Sequence, residues 1–204
     1  MRVLGLAAGI ATSLAAMVSC GDVIRQGQSP VVLVINSLQG ASGGGHAANT
    51  FSGTLFSDVQ VLVTTPPCSV TSPCPTTFSD SGQVILQLAP KNVAIAPTSN
   101  NQVTITRYHV EFIRADGRNT PGVDVPYAFD GAVTGTVPDT GTASITFELV
   151  RHTAKVESPL AQLVNSSAVI YTIAQVTFYG TDLVGNAISI MGSIAVDFGN
   201  FGDS

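Results

Sequence analysis

Residues 169–198 read VIYTIAQVTFYGTDLVGNAISIMGSIAVDF, and this stretch decides the fold. Two long runs rich in β-branched and aromatic residues, Val169 to Thr181 and Ala187 to Phe198, flank Asp182-Leu-Val-Gly-Asn186. Glycine and asparagine tolerate the positive φ that a tight reversal needs, so two alternating runs joined this way predict a β-hairpin. Within the second run Ile188, Ile190, Ile194, Val196 and Phe198 share one parity. Successive side chains of a strand point to opposite faces, so these five line one buried face, with Gly192 between them.

Upstream, the same period of two recurs. Ala143 to Val150 alternates with Ile145, Phe147 and Leu149 inward and Thr146 and Glu148 outward. Val103 to Ala115 alternates with a slip: Val103 and Ile105 have one parity, and Tyr108, Val110 and Phe112 the other. One extra residue near Thr106 or Arg107 restores a single buried face, which predicts a β-bulge. Asp116-Gly117 follows as a turn signal. Val123, Val125, Tyr127 and Phe129 alternate as core residues do, but Pro126 confines that segment to an edge or to extended coil. Ala132 to Val137 is a further short strand. Nearer the N-terminus, Val31 to Ile35 is an apolar first strand, and Asn36 to Thr50 is a Gly/Ser/Ala-rich loop. Thr54 to Ser57 and Val59 to Thr64 supply further strand material, and Asp80-Ser-Gly82 turns the chain into Gln83 to Leu88. The helical signal is Ser158-Pro-Leu-Ala-Gln-Leu163, where Ser158 can cap and Pro159 suits a first turn.

Short strands separated by turn signals, with no repeat of a longer period, predict an all-β chain of about seven to nine antiparallel strands. Tyr179-Gly-Thr-Asp-Leu-Val-Gly-Asn186 resembles the closing hairpin of bacterial immunoglobulin-like domains, which often carry an aromatic residue, then Asp, then Gly-Asn at these spacings. The short helix near 158–163, set between two late strands, is similar to the crossover helix of such domains. The resemblance implies an immunoglobulin-like β-sandwich over residues 30–204 and implies no activity.

The N-terminus carries an address. Arg2 is a minimal basic region, Val3 to Val18 is uncharged and rich in Ala, Leu and Gly, and the chain turns polar at Cys20. Such a stretch is too short and too weakly apolar for a spanning helix and has the form of a signal peptide, residues 1–19. Met17-Val-Ser-Cys20 resembles the lipobox of bacterial lipoproteins, with Met17 where the family usually has Leu. The resemblance implies that Cys20 carries a diacylglycerol and becomes the new N-terminus, with residues 20–29 as a lipidated tether. Gly21 stands where an Asp marks inner-membrane retention in enteric bacteria, which favours the outer membrane. The plainer reading is a signal peptide cleaved near Ala16, leaving a soluble secreted or periplasmic domain. Phrases such as Tyr108-His-Val-Glu-Phe112 and Val176-Thr-Phe-Tyr-Gly180 also resemble uncharacterised bacterial envelope lipoproteins.

Only 10% of the chain is charged, against roughly 25% in average domains. The net charge is −5 before Arg2 is removed, and no basic cluster occurs, which excludes nucleic acid as a partner. Cys68 and Cys74 lie in a proline-rich loop. In an oxidising compartment they pair as a disulfide; zinc is the competing reading, but it needs four ligands and no His or other Cys lies nearby in sequence. His46, His109 and His152 show no metal-ligand spacing, and neither a nucleophile elbow nor a phosphate loop is present. His109 falls with Arg107 and Glu111 on the polar face of its strand, whereas His46 sits in a glycine-rich loop, where function tends to reside. Asp116, Asp124, Asp130 and Asp182 border loops and are weak calcium candidates, lacking the dense carboxylate spacing of a dedicated site.

These features predict a non-catalytic exported lipoprotein without a cofactor, a structural or protein-interaction module of the cell envelope. Its partners would be the membrane, through acyl chains on Cys20, and other envelope proteins. A glycan- or calcium-binding sandwich is the alternative, although the chain has no Trp and four Tyr on which to stack sugars. A hydrolase with dispersed catalytic residues is the third reading.

Overall fold

The computed structural model describes residues 28–202, so the expected signal peptide over 1–19, Cys20 and most of the expected tether lie outside the described residues. Among the described residues, ten strands form the domain. In chain order they are β1 (Val31–Ala41), β2 (Thr54–Asp58), β3 (Val61–Val63), β4 (Cys74–Thr76) and β5 (Asp80–Pro90), followed by β6 (Val103–Ile113), β7 (Phe129–Val137), β8 (Thr142–Val150), β9 (Ile170–Asp182) and β10 (Ala187–Gly199). A three-stranded sheet, β1-β5-β8, faces a five-stranded sheet, β2-β10-β9-β6-β7, and β3 and β4 form a small hairpin apart. The first part of the chain is thus shared between the sheets, β1 pairing β5 and β2 pairing β10. With β9 and β10 beside β6, this is an immunoglobulin-like sandwich.

Hydrophobic faces of both sheets meet in one core. Leu86, Phe147 and Leu149 of the smaller sheet oppose Val110, Val176, Phe178, Val196 and Phe198 of the larger. Four aromatic rings run through it: Phe129 meets Tyr108 at 6.2 Å, Tyr108 meets Phe147 at 5.0 Å, and Phe147 meets Phe178 at 5.2 Å. Such tilted and edge contacts are the favoured geometry for packed rings.

The closing hairpin forms as read, β9 and β10 pairing from Thr181–Ala187 to Ile170–Phe198. The slip in β6 is a bulge. Register shifts between Ile105 and Arg107 against both neighbours, leaving Thr106 as the extra residue. As a result Val103, Ile105, Tyr108, Val110 and Phe112 are all buried despite their mixed parity. Gly180 lies opposite this bulge, where an added Cβ would come within 2.4 Å of the Thr104 carbonyl oxygen.

The sandwich class stands, and several details within it are corrected. One strand pairing, β2 with β10, is parallel rather than antiparallel; the two facing sheets hold eight strands, within the seven to nine expected of the sandwich, and the β3–β4 hairpin lies apart from them. β1 does not end at Ile35 but continues to Ala41 past a bulge between Ile35 and Ser37, because its second half still has β5 to pair with. Asp80-Ser-Gly82 is not a turn: β5 begins at Asp80, whose side chain is held in the interior. The 158–163 signal is a 3-10 turn, Leu160–Leu163, which buries Leu160 and Leu163. Ser158 does not cap it; its hydroxyl accepts from the Gln162 amide at 3.1 Å. A single-turn helix, α1 (His152–Lys155), precedes it and was not legible, since four residues carry no periodicity. Tyr127 is 55% exposed rather than core, because regular pairing in that segment starts only at Phe129.

Strand directions sort the loops. The chain enters at Ser29–Pro30 beside the 91–102 loop, the 138–141 turn and the 183–186 hairpin tip. The opposite end carries the 42–53 loop, the β3–β4 hairpin, the 114–128 loop, α1 and the last described residues.

Candidate functional site

At the end opposite Ser29, four segments of the chain are joined by a buried charge cluster. Lys155 Nζ donates to Asp80 Oδ1 at 2.8 Å and to the Asp58 carbonyl at 2.9 Å. The Ser57 hydroxyl donates to Asp80 Oδ2 at 2.6 Å, and the Gly43 N–H donates to Asp80 Oδ1 at 3.0 Å. Both charged side chains are almost wholly enclosed, at 1% and 0% exposure. The α1 turn, following β8, places Lys155 against the first residue of β5. Four hydrogen bonds on two charges satisfy most of what burial removes from water, which is the condition under which a buried pair is tolerated. The cluster ties α1, β2, β5 and the 42–53 loop into one rigid end.

Two concavities open around it. One, of about 210 Å³, is lined by Ser42, His46, Thr50, Thr54, Leu55 and Phe56. His46 stands edge-on to Phe56 at 5.7 Å, and Phe201 packs against both at 5.7 and 6.2 Å. Phe56 remains 39% exposed at this rim. The second, of about 220 Å³, is lined by Tyr127, Arg151, Thr153, Glu157 and Ser158. There Arg151 lays its guanidinium over the Phe129 ring at 4.3 Å, and its Nε is enclosed with no hydrogen-bond partner among the described residues.

Of the residues singled out in the sequence, Cys68 and Cys74 are joined as a disulfide across 5.7 Å between Cα atoms, bracing the β3–β4 hairpin. Disulfides of this kind persist in oxidising, exported compartments. No helix among the described residues is long and apolar enough to cross a membrane. The four aspartates are not brought together. Asp116 is clamped by Arg114 at 2.7 Å and Arg118 at 2.8 Å, and these guanidinium bonds hold its carboxyl far below the usual range. Asp124 accepts from the Thr120 N–H. Asp130 lies 3.3 Å from both Arg107 and His109, on the polar sheet face expected for that histidine. Among the described residues no three His, Cys, Asp or Glu side chains gather as a metal-holding group.

Asp182 closes the hairpin, accepting from the N–H groups of Val184 and Asn186 at 3.1 and 2.8 Å and from the Asn186 amide at 2.9 Å. Burial pulls its carboxyl pKa up, but bonds from Asn186, Ser29 and Val184 outweigh that and leave it below the ordinary value. A carboxyl lowered in the folded state contributes stability above its unfolded value of about 3.9 and loses it as pH falls through the folded value. Urea unfolding is therefore expected to show the native chain losing more stability than Asp182→Asn between about pH 5 and about pH 2. Parallel losses would refute that role.

Phe56 and Phe201, 145 positions apart, carry no sequence signal of function, whereas His46 does through its glycine-rich loop. The chain matches no model of a known protein family, and among curated proteins none matches it.

Proposed function

We propose that this chain is an exported lipoprotein of the bacterial cell envelope, anchored through acyl chains on Cys20, whose sandwich is a non-catalytic module that docks other envelope proteins. The observation that carries the docking reading is the aromatic group His46, Phe56 and Phe201 around the concavity at the end opposite Ser29. Exposed aromatic side chains around a small pocket, with a rigid support behind them, are what protein interfaces use as anchors. Both concavities are near 200 Å³, below the roughly 300–1,000 Å³ of small-molecule pockets, and fit one protruding partner side chain better than a free ligand. The calcium and glycan alternatives have less support. Protein groups already engage all four candidate carboxylates, and Tyr127 is the exposed ring beside the Arg151 concavity.

A photo-activated cross-linking residue at position 56 in cells is expected to give discrete adducts with envelope proteins, and Phe201→Ala to reduce them about tenfold, the scale of one interface anchor. Adducts that are absent, or unchanged by Phe201→Ala, would overturn the docking reading. Separately, Cys20→Ser is expected to abolish labelling by a palmitate analogue and to release the protein from membranes. Labelling that persists would sink the assignment of Cys20.

A further inference from the structure

The loops around Ser29 carry a second unpartnered surface. Val93 and Ile95 are 94% and 62% exposed, and with Ala94 and Ala96 they form an apolar run in the 91–102 loop that faces solvent. Leu183 and Val184, at the β9–β10 tip, are 61% and 71% exposed. Both loops touch the incoming chain. The Lys91 N–H donates to the Pro30 carbonyl at 2.8 Å, Ile95 and Pro30 share one small cleft, and Ser29 hydrogen-bonds Asp182 at the base of the tip. The 91–102, 138–141 and 183–186 segments together contain one basic and one acidic residue, Lys91 and Asp139, whereas most of the other charges lie along the strands or at the opposite end.

Where Ser29 lies sets which end of the sandwich is held nearest the anchoring surface. Cys20 precedes it by nine residues, a span of about 30 Å even when fully extended, at roughly 3.3 Å per residue. The longest strands run about 43 Å at 3.3 Å per residue, so the opposite end cannot reach a surface holding Cys20 unless the domain lies flat. We infer that Val93, Ile95, Leu183 and Val184 are a bilayer-contacting rim, inserting into the interfacial region of the membrane to which the chain is tethered. Apolar side chains with few charges among them are what that region accepts, and insertion fixes the sandwich upright with its aromatic pocket outward. This rests on the lipoprotein reading for its biological setting, and its test is made independent of it.

The chain contains no tryptophan, so a single introduced one reports alone. Val93→Trp and, as a control, Val70→Trp on the disulfide hairpin replace side chains 94% and 84% exposed, so folding is not at risk. A chain beginning at Cys20, produced without residues 1–19 so that its thiol is unacylated and refolded under oxidising conditions, is coupled to phosphatidylethanolamine–phosphatidylglycerol vesicles through a maleimide lipid on Cys20, Cys68 and Cys74 being bridged. This removes any dependence on cellular acylation, which the palmitate label reads separately. For Val93→Trp the expected result is a blue-shifted indole emission, quenched about twofold or more by brominated acyl chains. The emission of Val70→Trp is expected to stay unchanged. Adding Val184→Asp to Val93→Trp is expected to weaken the quenching. Equal emission from the Val93→Trp chain with and without brominated lipid, or equal quenching of the Val70→Trp chain, would overturn the inference. If the quenching appears but palmitate labelling does not, the rim stands and the acylation reading fails.

Discussion

Asp80→Ala is expected to lower the unfolding free energy by about 3–5 kcal/mol, the cost of leaving a partner charge buried and uncompensated. Lys155 is 1% exposed, so without Asp80 its ammonium keeps the Asp58 carbonyl and loses the carboxylate it is bonded to. The Ser57 hydroxyl and the Gly43 N–H lose their acceptor in the same step, each a buried or part-buried donor. Against a total stability of about 5–15 kcal/mol for a domain, that is a large share. Urea unfolding followed by circular dichroism reads it directly. Lys155→Met should cost less, because Asp80 retains two hydrogen-bond donors, and the double variant should recover part of the loss. A drop below about 1 kcal/mol for Asp80→Ala would mean that the cluster contributes only local order. Because the cluster holds the 42–53 loop beside β2, cross-linking from position 56 should fall together with stability.

Deleting Thr106 is expected to abolish cooperative folding. β6 is the inner strand between β7 and β9, and its register against both is set by the bulge at this residue. Without it, keeping Tyr108, Val110 and Phe112 inward turns Val103 and Ile105 to solvent and brings Thr104 into the core. Exposing the two aliphatic side chains costs about 1.5–3 kcal/mol each, and burying an unpaired hydroxyl adds more, so the sum approaches the whole stability of the domain. Thr106→Ala is the matching control: the side chain is exposed, and a change of less than about 1 kcal/mol is expected. A deletion variant that still unfolds cooperatively with a loss under about 2 kcal/mol would show that the strand can slip without penalty.

Periodic and covalent features are legible in the chain before it folds. Alternation along β6, β8 and β10 specified the sandwich class and even the position of the bulge, because a period of two is a local property and a parity break can be seen without knowing the partner strand. The Asp182–Asn186 turn was legible for the same reason. The disulfide followed from two cysteines six residues apart with no further ligand nearby in sequence to complete a zinc site. Features that need distant residues to meet arise only from the packing of the strands. Asp80 looks like a turn former and Lys155 like a surface charge; they are 75 residues apart, and only the packing of β5 beside β8 makes them a buried pair. Phe56 and Phe201 looked like scattered apolar residues until the parallel β2–β10 pairing set them together around His46. The same holds for the rim near Ser29. Val93 and Leu183 share an end because β5, β6, β9 and β10 run as they do, and strand direction is a property of the sheet that no single segment encodes.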